Sequence, residues 1–200
     1  MIFTLVSTAS IFISYLIGSI STSILIARMM RLPDPRSLGS GNPGATNMLR
    51  TGSKKAAAIT LLGDLLKGLI PVLIARWLGV DMFILCMVAL AAILGHMYPI
   101  YYRFTGGKGV ATTLGVLLGL QWQLALIWGV VWLVMAKLFG YSSLAALTAT
   151  GLLPVSSFLL KQPNIVTVTC AVIAVFVFWR HRSNIKKLLT GKESKIKSGL

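Results

Sequence analysis

The chain has 200 residues, of which 56% are hydrophobic, and its mean hydropathy is +0.84. Soluble domains contain roughly 45–50% apolar residues, so this composition excludes an ordinary soluble fold. The net charge is +15, from 19 Lys and Arg residues against four Asp and Glu, and because the basic residues lie at the edges of apolar segments they indicate membrane topology and anionic ligands, and not nucleic acid binding.

Seven apolar segments follow one another along the chain and predict an all-α integral membrane protein with about seven transmembrane helices. They cover residues 3–29, 56–78, 82–101, 110–120, 122–139, 142–160 and 165–180. A helix needs about 20 residues to cross a bilayer, so the short 110–120 segment leaves open whether it spans fully. No basic region precedes the first segment, so we expect a membrane span there and not a cleaved signal peptide.

The distribution of Lys and Arg predicts the orientation. With seven crossings and a periplasmic N-terminus, most of the 19 basic residues fall on the cytoplasmic side, as the positive-inside rule requires. They then lie in residues 28–55, 102–109 and 137–141 and in the tail from Arg180 onward. We therefore predict one polytopic membrane domain over residues 1–200, with a basic cytoplasmic tail at 181–200.

The first predicted cytoplasmic loop contains a polar, glycine-rich run at residues 38–47 that spanning a membrane does not require. Its glycines and Pro43 force an irregular backbone, and Arg50 follows within one helical turn. Its neutral hydrogen-bonding side chains are Ser40, Asn42, Thr46 and Asn47. A loop of this kind, backed by an arginine at a membrane surface, favours an anionic ligand.

The second predicted cytoplasmic loop contains Gly106, Gly107, Lys108 and Gly109, directly before a helix that begins near Val110. The glycines let backbone N–H groups approach an anion, the lysine supplies a charge, and the helix N-terminus supplies a positive dipole end. A flexible turn is the alternative interpretation. The spacing is not that of a Walker A loop, so no nucleotide is indicated.

Two further polar stretches fall on the same predicted face. Ser142 and Ser143 begin the sixth segment, where they would either cap a helix or bind phosphate. In the tail, His181 and Asn184 would share one face of a continuing helix, and Glu193, the only acid there, would anchor the tail through a basic partner. The alternative is a basic surface helix of no catalytic significance.

Ionisable groups also occur within the apolar segments. Asp64 and Lys67 are three residues apart in the second segment, where an internal ion pair is expected and Lys67 can also add positive field to a site. His96 lies near the end of the third segment. Cys86 and Cys170 lie in apolar runs and are interpreted as core residues, and not as a disulfide or a metal-binding pair.

Three blocks together resemble the bacterial acyl-phosphate:glycerol-3-phosphate 1-O-acyltransferase family. They are residues 39–47 with Arg50, residues 106–112, and the tail from His181 to Glu193. The stretches 63–68 and 95–99 also resemble the family. The resemblance covers nearly the whole chain, without a departure inside the three blocks.

The resemblance implies a seven-helix enzyme of the bacterial cytoplasmic (inner) membrane, with its active site near the cytoplasmic face. It implies transfer of a fatty acyl group from acyl phosphate to the 1-hydroxyl of glycerol 3-phosphate, giving lysophosphatidic acid without a metal or cofactor. It implies catalytic roles for Ser40, Arg50, His181 and Asn184, substrate binding by the glycine loop, and a structural role for Glu193. The implied partners are membrane lipid and the enzyme that supplies acyl phosphate.

Several alternatives stay open at this point. The proton acceptor is either His181 or a phosphate oxygen of a substrate, and Ser40 contacts the acyl donor, the acceptor or both. A small anion transporter is a competing function, although no inverted repeat is visible. A lipid-binding scaffold with a basic tail is the third.

Overall fold

The structure is a computed structural model and describes residues 2–50 and 53–196. All regular elements in these two ranges are helices, so the predicted all-α fold class is confirmed. The chain divides into two compact units, an N-terminal unit at Met1–Gln121 and a C-terminal unit at Trp122–Leu200. The prediction of one membrane domain over the whole chain stays a prediction.

The N-terminal unit contains six α-helices and one short 3₁₀ turn. They are α1 (Ile2–Gly18), α2 (Thr22–Met29), α3 (Ala45–Arg50), α4 (Lys54–Trp77), α5 (Met82–Met97), the 3₁₀ turn (Ile100–Tyr102) and α6 (Val110–Leu120). Glycines bring their backbones close together: an added Cβ at Gly18 would overlap the Ala92 carbonyl, and one at Gly115 would overlap the Leu65 carbonyl. Small residues are the usual means of tight helix packing in membranes, and here they join α1 to α5 and α4 to α6.

The first predicted segment, 3–29, is broken and is not one continuous helix. Helices α1 and α2 meet at an angle of 44°. The break frees backbone carbonyls from the helical hydrogen-bond ladder, and the Lys67 Nζ donates to the Ile20 carbonyl at 2.8 Å. A polar side chain from a neighbouring helix is the expected means of satisfying backbone freed by a broken span.

The C-terminal unit contains five helices. They are α7 (Trp122–Phe139), α8 (Ser142–Gly151), α9 (Leu153–Leu159), α10 (Asn164–Arg180) and α11 (Arg182–Leu189). Helix α10 ends at Arg180, and α11 leaves it at an angle of 64°. The predicted continuing helix through His181 and Asn184 is therefore wrong, because His181 occupies the junction between two helices.

Helix length and exposure agree with an integral membrane protein. Four helical stretches in the described ranges are long and apolar enough to cross a bilayer, or up to six if each bent pair is one span. Large apolar side chains stay exposed, such as Trp77 at 84% and Phe158 at 73%, which a hydrocarbon solvent accommodates. Helix α6 has 11 residues, so the count of seven crossings and the orientation stay predictions.

Candidate active site

The first polar loop is held in shape by Asn47. Its Oδ1 accepts from the Ser40 amide at 2.8 Å and from the Ser40 hydroxyl at 3.2 Å. Its Nδ2 donates to the carbonyls of Pro35 (2.7 Å) and Leu38 (3.0 Å). Asn47 is only 1% exposed, so its amide group acts as an internal brace that fixes the backbone on both sides of Ser40.

Within that brace, Ser40 is itself exposed while its neighbours turn sharply. Gly39 has a φ of +56°, and an added Cβ there would overlap Asn47 Oδ1, so a side chain at this position would both strain the backbone and displace the brace. Arg50 is the last residue of α3 and is half-buried. Asn42 and Thr46 are also half-buried in the same loop and helix.

The glycine loop lies against the end of α5. The Gly107 amide donates to the His96 carbonyl at 3.1 Å, and an added Cβ at Gly107 would overlap His96 Nε2. Gly106 packs in the same way against the His96 carbonyl and the Pro99 ring. These glycines therefore serve close packing against His96 as well as any approach to an anion.

The predicted helix start after the glycine loop is confirmed. Gly109 has a φ of +83° and is the N-cap residue of α6, which begins at Val110. This left-handed conformation disfavours any side chain. Lys108, half-buried, lies between the two closely packed glycines and the helix N-terminus, where the helix dipole adds to its positive charge.

A buried charge cluster supports the glycine loop from inside the N-terminal unit. Lys67 Nζ lies 2.9 Å from Asp64 Oδ1, so the predicted ion pair is present. His96 Nδ1 lies 3.7 Å from the same oxygen, and all three residues are at most 7% exposed. The imidazole thus touches Asp64 with one edge and Gly107 with the other, which connects the buried carboxylate to the loop.

In the C-terminal unit, Glu193 connects the tail to α8. Its Oε1 accepts from the Ser143 hydroxyl and from the Asn184 Nδ2, each at 2.8 Å. The predicted basic partner for Glu193 is therefore wrong, because a hydroxyl and an amide hold the carboxylate. Such hydrogen bonds to an ionised acceptor are among the stronger ones in proteins. In the part of the chain that the structure describes, they hold the tail and no ion pair of Glu193 does.

His181 is buried at the junction of α10 and α11, at 2% exposure. Its Nδ1 lies 2.8 Å from the Val177 carbonyl. A carbonyl only accepts, so Nδ1 carries the proton in this arrangement. The basic lone pair of the neutral ring is then on Nε2, and the ring orientation is fixed by the backbone of the preceding helical turn.

The two serines at the start of α8 do not cap the helix. Tyr141 is the N-cap residue, and α8 begins at Ser142. The Ser143 hydroxyl donates its hydrogen bond to Glu193 Oε1. Of the two serines predicted to bind phosphate, Ser142 therefore remains the better placed at the helix N-terminus, together with the first backbone N–H groups of α8.

Sequence analysis missed several residues that position these parts. The Tyr15 hydroxyl donates to the Tyr98 carbonyl at 2.8 Å, and the Ile100 amide lies 3.4 Å from the Ser19 hydroxyl. These contacts tie α1 to the chain that enters the glycine loop. They join residues more than 80 positions apart, and no local pattern in the sequence could have indicated them.

Comparisons with known proteins show which chains are similar to this one. Residues 8–191 match the family model described as glycerol-3-phosphate acyltransferase. Among curated relatives, the glycerol-3-phosphate acyltransferase of Thioalkalivibrio sulfidiphilus (strain HL-EbGR7) is 54% identical over 96% of this chain and 95% of its own. The protein of that name from Neisseria meningitidis serogroup B is 55% identical over 92% of this chain and 94% of its own.

Two solved structures share the fold. Both are crystal structures of PlsY, an integral membrane glycerol 3-phosphate acyltransferase. The glycerol 3-phosphate form has a TM-score of 0.90 and 41% identity, and the lysophosphatidic acid form has a TM-score of 0.88 and 40% identity. Each match covers 94% of this chain and 94% of the other.

Proposed function

This chain belongs to the glycerol-3-phosphate acyltransferase family, and we propose that it transfers a fatty acyl group from acyl phosphate to the 1-hydroxyl of sn-glycerol 3-phosphate. The products are lysophosphatidic acid and inorganic phosphate, in an early step of bacterial phospholipid synthesis. The observation that carries the proposal is the near full-length similarity to an integral membrane acyltransferase solved in a glycerol 3-phosphate form. That the chain is an acyltransferase follows from the family itself.

The N-terminal unit supplies the groups that hold anions. Acyl phosphate and glycerol 3-phosphate both carry phosphate, so their negative charges repel unless cations neutralise them. We assign Lys108 and the N–H groups of Gly106, Gly107 and Gly109 to the phosphate of glycerol 3-phosphate. Arg50 has the planar guanidinium suited to bidentate contact with a phosphate.

The polar loop supplies neutral hydrogen-bonding groups. Ser40 is exposed and braced by Asn47, so its hydroxyl is held with little freedom and is suited to orienting a substrate. Ser40 is not assigned as a covalent acyl acceptor, because its hydroxyl donates to the amide oxygen of Asn47 and not to a base. Acyl phosphate is already a mixed anhydride, so a covalent intermediate is not needed to activate the acyl group.

His181 is the proposed proton acceptor. In the proposed step the glycerol 3-phosphate hydroxyl attacks the carbonyl carbon of acyl phosphate, and the bond from that carbon to the bridging oxygen breaks. The phosphate leaves with the electron pair, and the hydroxyl proton passes to His181 Nε2. The bond from Nδ1 to the Val177 carbonyl orients the ring, as an orienting group does in other acid–base sites.

Asn184, Ser143 and Glu193 have connected roles in this account. Glu193 holds Asn184 and Ser143 with one oxygen, so its function is to position both residues. Asn184 polarises or orients a substrate, and Ser142 with the α8 N-terminus binds a phosphate. Ser143 is assigned to support, because its proton is already donated to a carboxylate.

The cellular setting is part of the proposal. The chain is an integral membrane protein, and we place it in the bacterial inner membrane with its active site near the cytoplasmic face. This agrees with the basic residues of the two polar loops. Acyl phosphate is a reactive amphiphile, so an enzyme that produces it at the same membrane is the expected partner.

The test is an assay of the full chain, purified and reconstituted in liposomes. We expect labelled glycerol 3-phosphate and palmitoyl phosphate to yield lysophosphatidic acid and phosphate. With palmitoyl-CoA or the palmitoyl thioester of acyl carrier protein as the donor, we expect no lysophosphatidic acid. Lys108→Ala should raise the KM for glycerol 3-phosphate or abolish turnover. Absence of lysophosphatidic acid from the acyl phosphate mixture would overturn the proposal.

A further inference from the structure

A polar cavity lies in the N-terminal unit, lined by residues other than those assigned to catalysis. It has a volume of about 360 Å³ and is lined by three arginines, two tyrosines and a threonine. These residues are Arg28, Arg36, Tyr101, Tyr102, Arg103 and Thr105. Its volume falls in the range of small-ligand sites, roughly 300–1,000 Å³, and it contains no acidic lining residue.

The charge of this cavity is only partly neutralised. The Arg36 guanidinium pairs with the Asp34 carboxylate, and its shortest hydrogen bonds run from Nη2 to Oδ2 at 2.7 Å and from Nε to Oδ1 at 3.0 Å. The hydrogen bond from Arg36 holds the pKa of Asp34 below its ordinary value, so the carboxylate is ionised at neutral pH. Within the described residues, neither Arg28 nor Arg103 forms an ion pair, although Arg28 is close enough to Asp34 to help lower the pKa of that carboxyl. The three arginines and this one carboxylate leave the cavity with an excess of two positive charges.

The backbone beside the cavity is held in an uncommon conformation. Arg103 and Phe104 have φ values of +53° and +58°, a region that non-glycine residues rarely adopt and that is costly for a bulky residue. The Phe104 amide donates to the Pro99 carbonyl at 2.9 Å, which holds the turn. The position of Arg103 is therefore set by a hydrogen-bonded turn.

Apolar side chains adjoin the cationic cavity. Ile100, Tyr101 and Phe104 are 48%, 56% and 57% exposed. Ile100 and Tyr101 lie at the end of the candidate membrane span Met82–Tyr102, and Phe104 lies just after it. Exposed aromatic residues at the end of a span are typical of the membrane–water interface. The cavity therefore combines a cationic interior with an apolar, interfacial border.

We propose that this cavity binds the phosphate headgroup of an anionic membrane phospholipid, at a site separate from the residues that carry out acyl transfer. Arg28 and Arg103 are suited to contact a phosphate that carries a single negative charge and the polar groups beside it. The apolar border matches the glycerol and upper acyl region of the same molecule. Basic pockets beside membrane helices are known to take anionic headgroups. A soluble phosphate shares the charge but does not use the apolar border.

The test is native mass spectrometry of the full chain in detergent, with phosphatidylglycerol and phosphatidylcholine as probes. We expect tighter retention of phosphatidylglycerol. The double variant Arg28→Gln, Arg103→Asn should weaken that binding about 25-fold, at about fivefold for each arginine removed. Asn is chosen at position 103 because it tolerates the left-handed backbone.

The matched control removes two charges elsewhere in the same predicted loop. Lys54→Gln, Lys55→Gln changes exposed residues that do not line the cavity, and we expect its binding to match the unchanged chain. Arg28→Lys, Arg103→Lys should keep most of the binding. Elution on size exclusion reports folding, and the single variant Arg28→Gln serves if the double variant elutes abnormally.

Three results would overturn the proposal. The first is equal retention of the two lipids by the unchanged chain. The second is an equal loss of binding in the Arg28→Gln, Arg103→Asn variant and in the Lys54→Gln, Lys55→Gln control. That result would show that binding depends on the net charge of the protein and not on the cavity. The third is displacement of phosphatidylglycerol by excess inorganic phosphate, which would assign the cavity to a soluble phosphate.

Discussion

Gly107 lies directly against the imidazole ring of His96, and its amide N–H donates to the His96 carbonyl at 3.1 Å. The other edge of the same ring lies 3.7 Å from the buried Asp64 carboxylate. A residue deep in the N-terminal unit therefore sets the position of the loop that we assign to phosphate binding. A glycine in such a loop is usually explained by the access that it gives to an anion. Here Gly107 has a second reason, because a side chain would overlap the His96 ring.

We expect Gly107→Ala to lower kcat/KM by about 100-fold, the cost of displacing a substrate-positioning group by about 1 Å. The added methyl group overlaps His96 Nε2, so either the loop or the ring must move. The measurement is steady-state acyl transfer with both substrates varied. Gly129→Ala is the matched control, because an added Cβ there meets no atom within 4 Å. Unchanged kinetics for Gly107→Ala would show that the contact does not constrain the site.

The buried ion pair gives a prediction for stability. Asp64→Asn leaves the Lys67 charge unpaired at 6% exposure, and removing one partner of a buried pair costs about 3–5 kcal/mol. The free energy of unfolding, measured by SDS titration in mixed micelles, should fall by that amount. The double variant Asp64→Asn, Lys67→Gln removes the unpaired charge, keeps an N–H donor for the Ile20 carbonyl and should recover part of the loss. A double variant less stable than Asp64→Asn would contradict this explanation.

The sequence indicated some parts of this site well and others poorly, for physical reasons. Asp64 and Lys67 are three residues apart on one helix, so their pairing follows from helix geometry alone, and Gly109 precedes a regular helix. The partner of Glu193 could not be predicted, because Ser143 is 50 residues away and nothing local distinguishes a hydroxyl partner from one of the many nearby lysines.

Helix breaks were the other limit. Residues 3–27 carry no charged side chain, and hydropathy does not reveal that Lys67 supports a break at Ile20. Likewise, nothing in the sequence distinguishes Arg28 and Arg103 from the other basic residues of the predicted cytoplasmic loops. Their arrangement around one cavity depends on how α2 and the turn after α5 pack, which no spacing in the sequence encodes.

Glu193 is expected to hold the tail against α8, because it accepts hydrogen bonds from Asn184 and Ser143. Glu193→Ala removes two hydrogen bonds to a charged acceptor, each worth about 1.5–3 kcal/mol when fully formed, and should loosen the tail. Trypsin cleavage after Lys186 and Lys187 should then accelerate, and turnover should fall. Glu193→Gln keeps an oxygen that accepts both bonds and should show smaller effects. Equal cleavage rates in all three proteins would contradict the connecting role.

The role of His181 is testable through pH. His181→Asn keeps an N–H close to the position of Nδ1, and therefore the bond to the Val177 carbonyl, but removes Nε2. We expect kcat to fall by about 10²–10⁴, the usual contribution of general acid–base catalysis, and the acidic limb of the pH–rate profile to disappear. His181→Gln, which places its N–H further out, serves as the comparison. An unchanged profile in His181→Asn would assign the proton to a substrate phosphate.

The central claim is that the acyl group moves directly from acyl phosphate to glycerol 3-phosphate, with cleavage of the bond between the acyl carbon and the bridging oxygen. The most direct measurement uses palmitoyl phosphate labelled with ¹⁸O at that bridging oxygen and follows the label by mass spectrometry. We expect equal amounts of lysophosphatidic acid and inorganic phosphate, with the label wholly in the phosphate. Label released in palmitate, together with a doubly phosphorylated glycerol, would show attack at phosphorus and would contradict it.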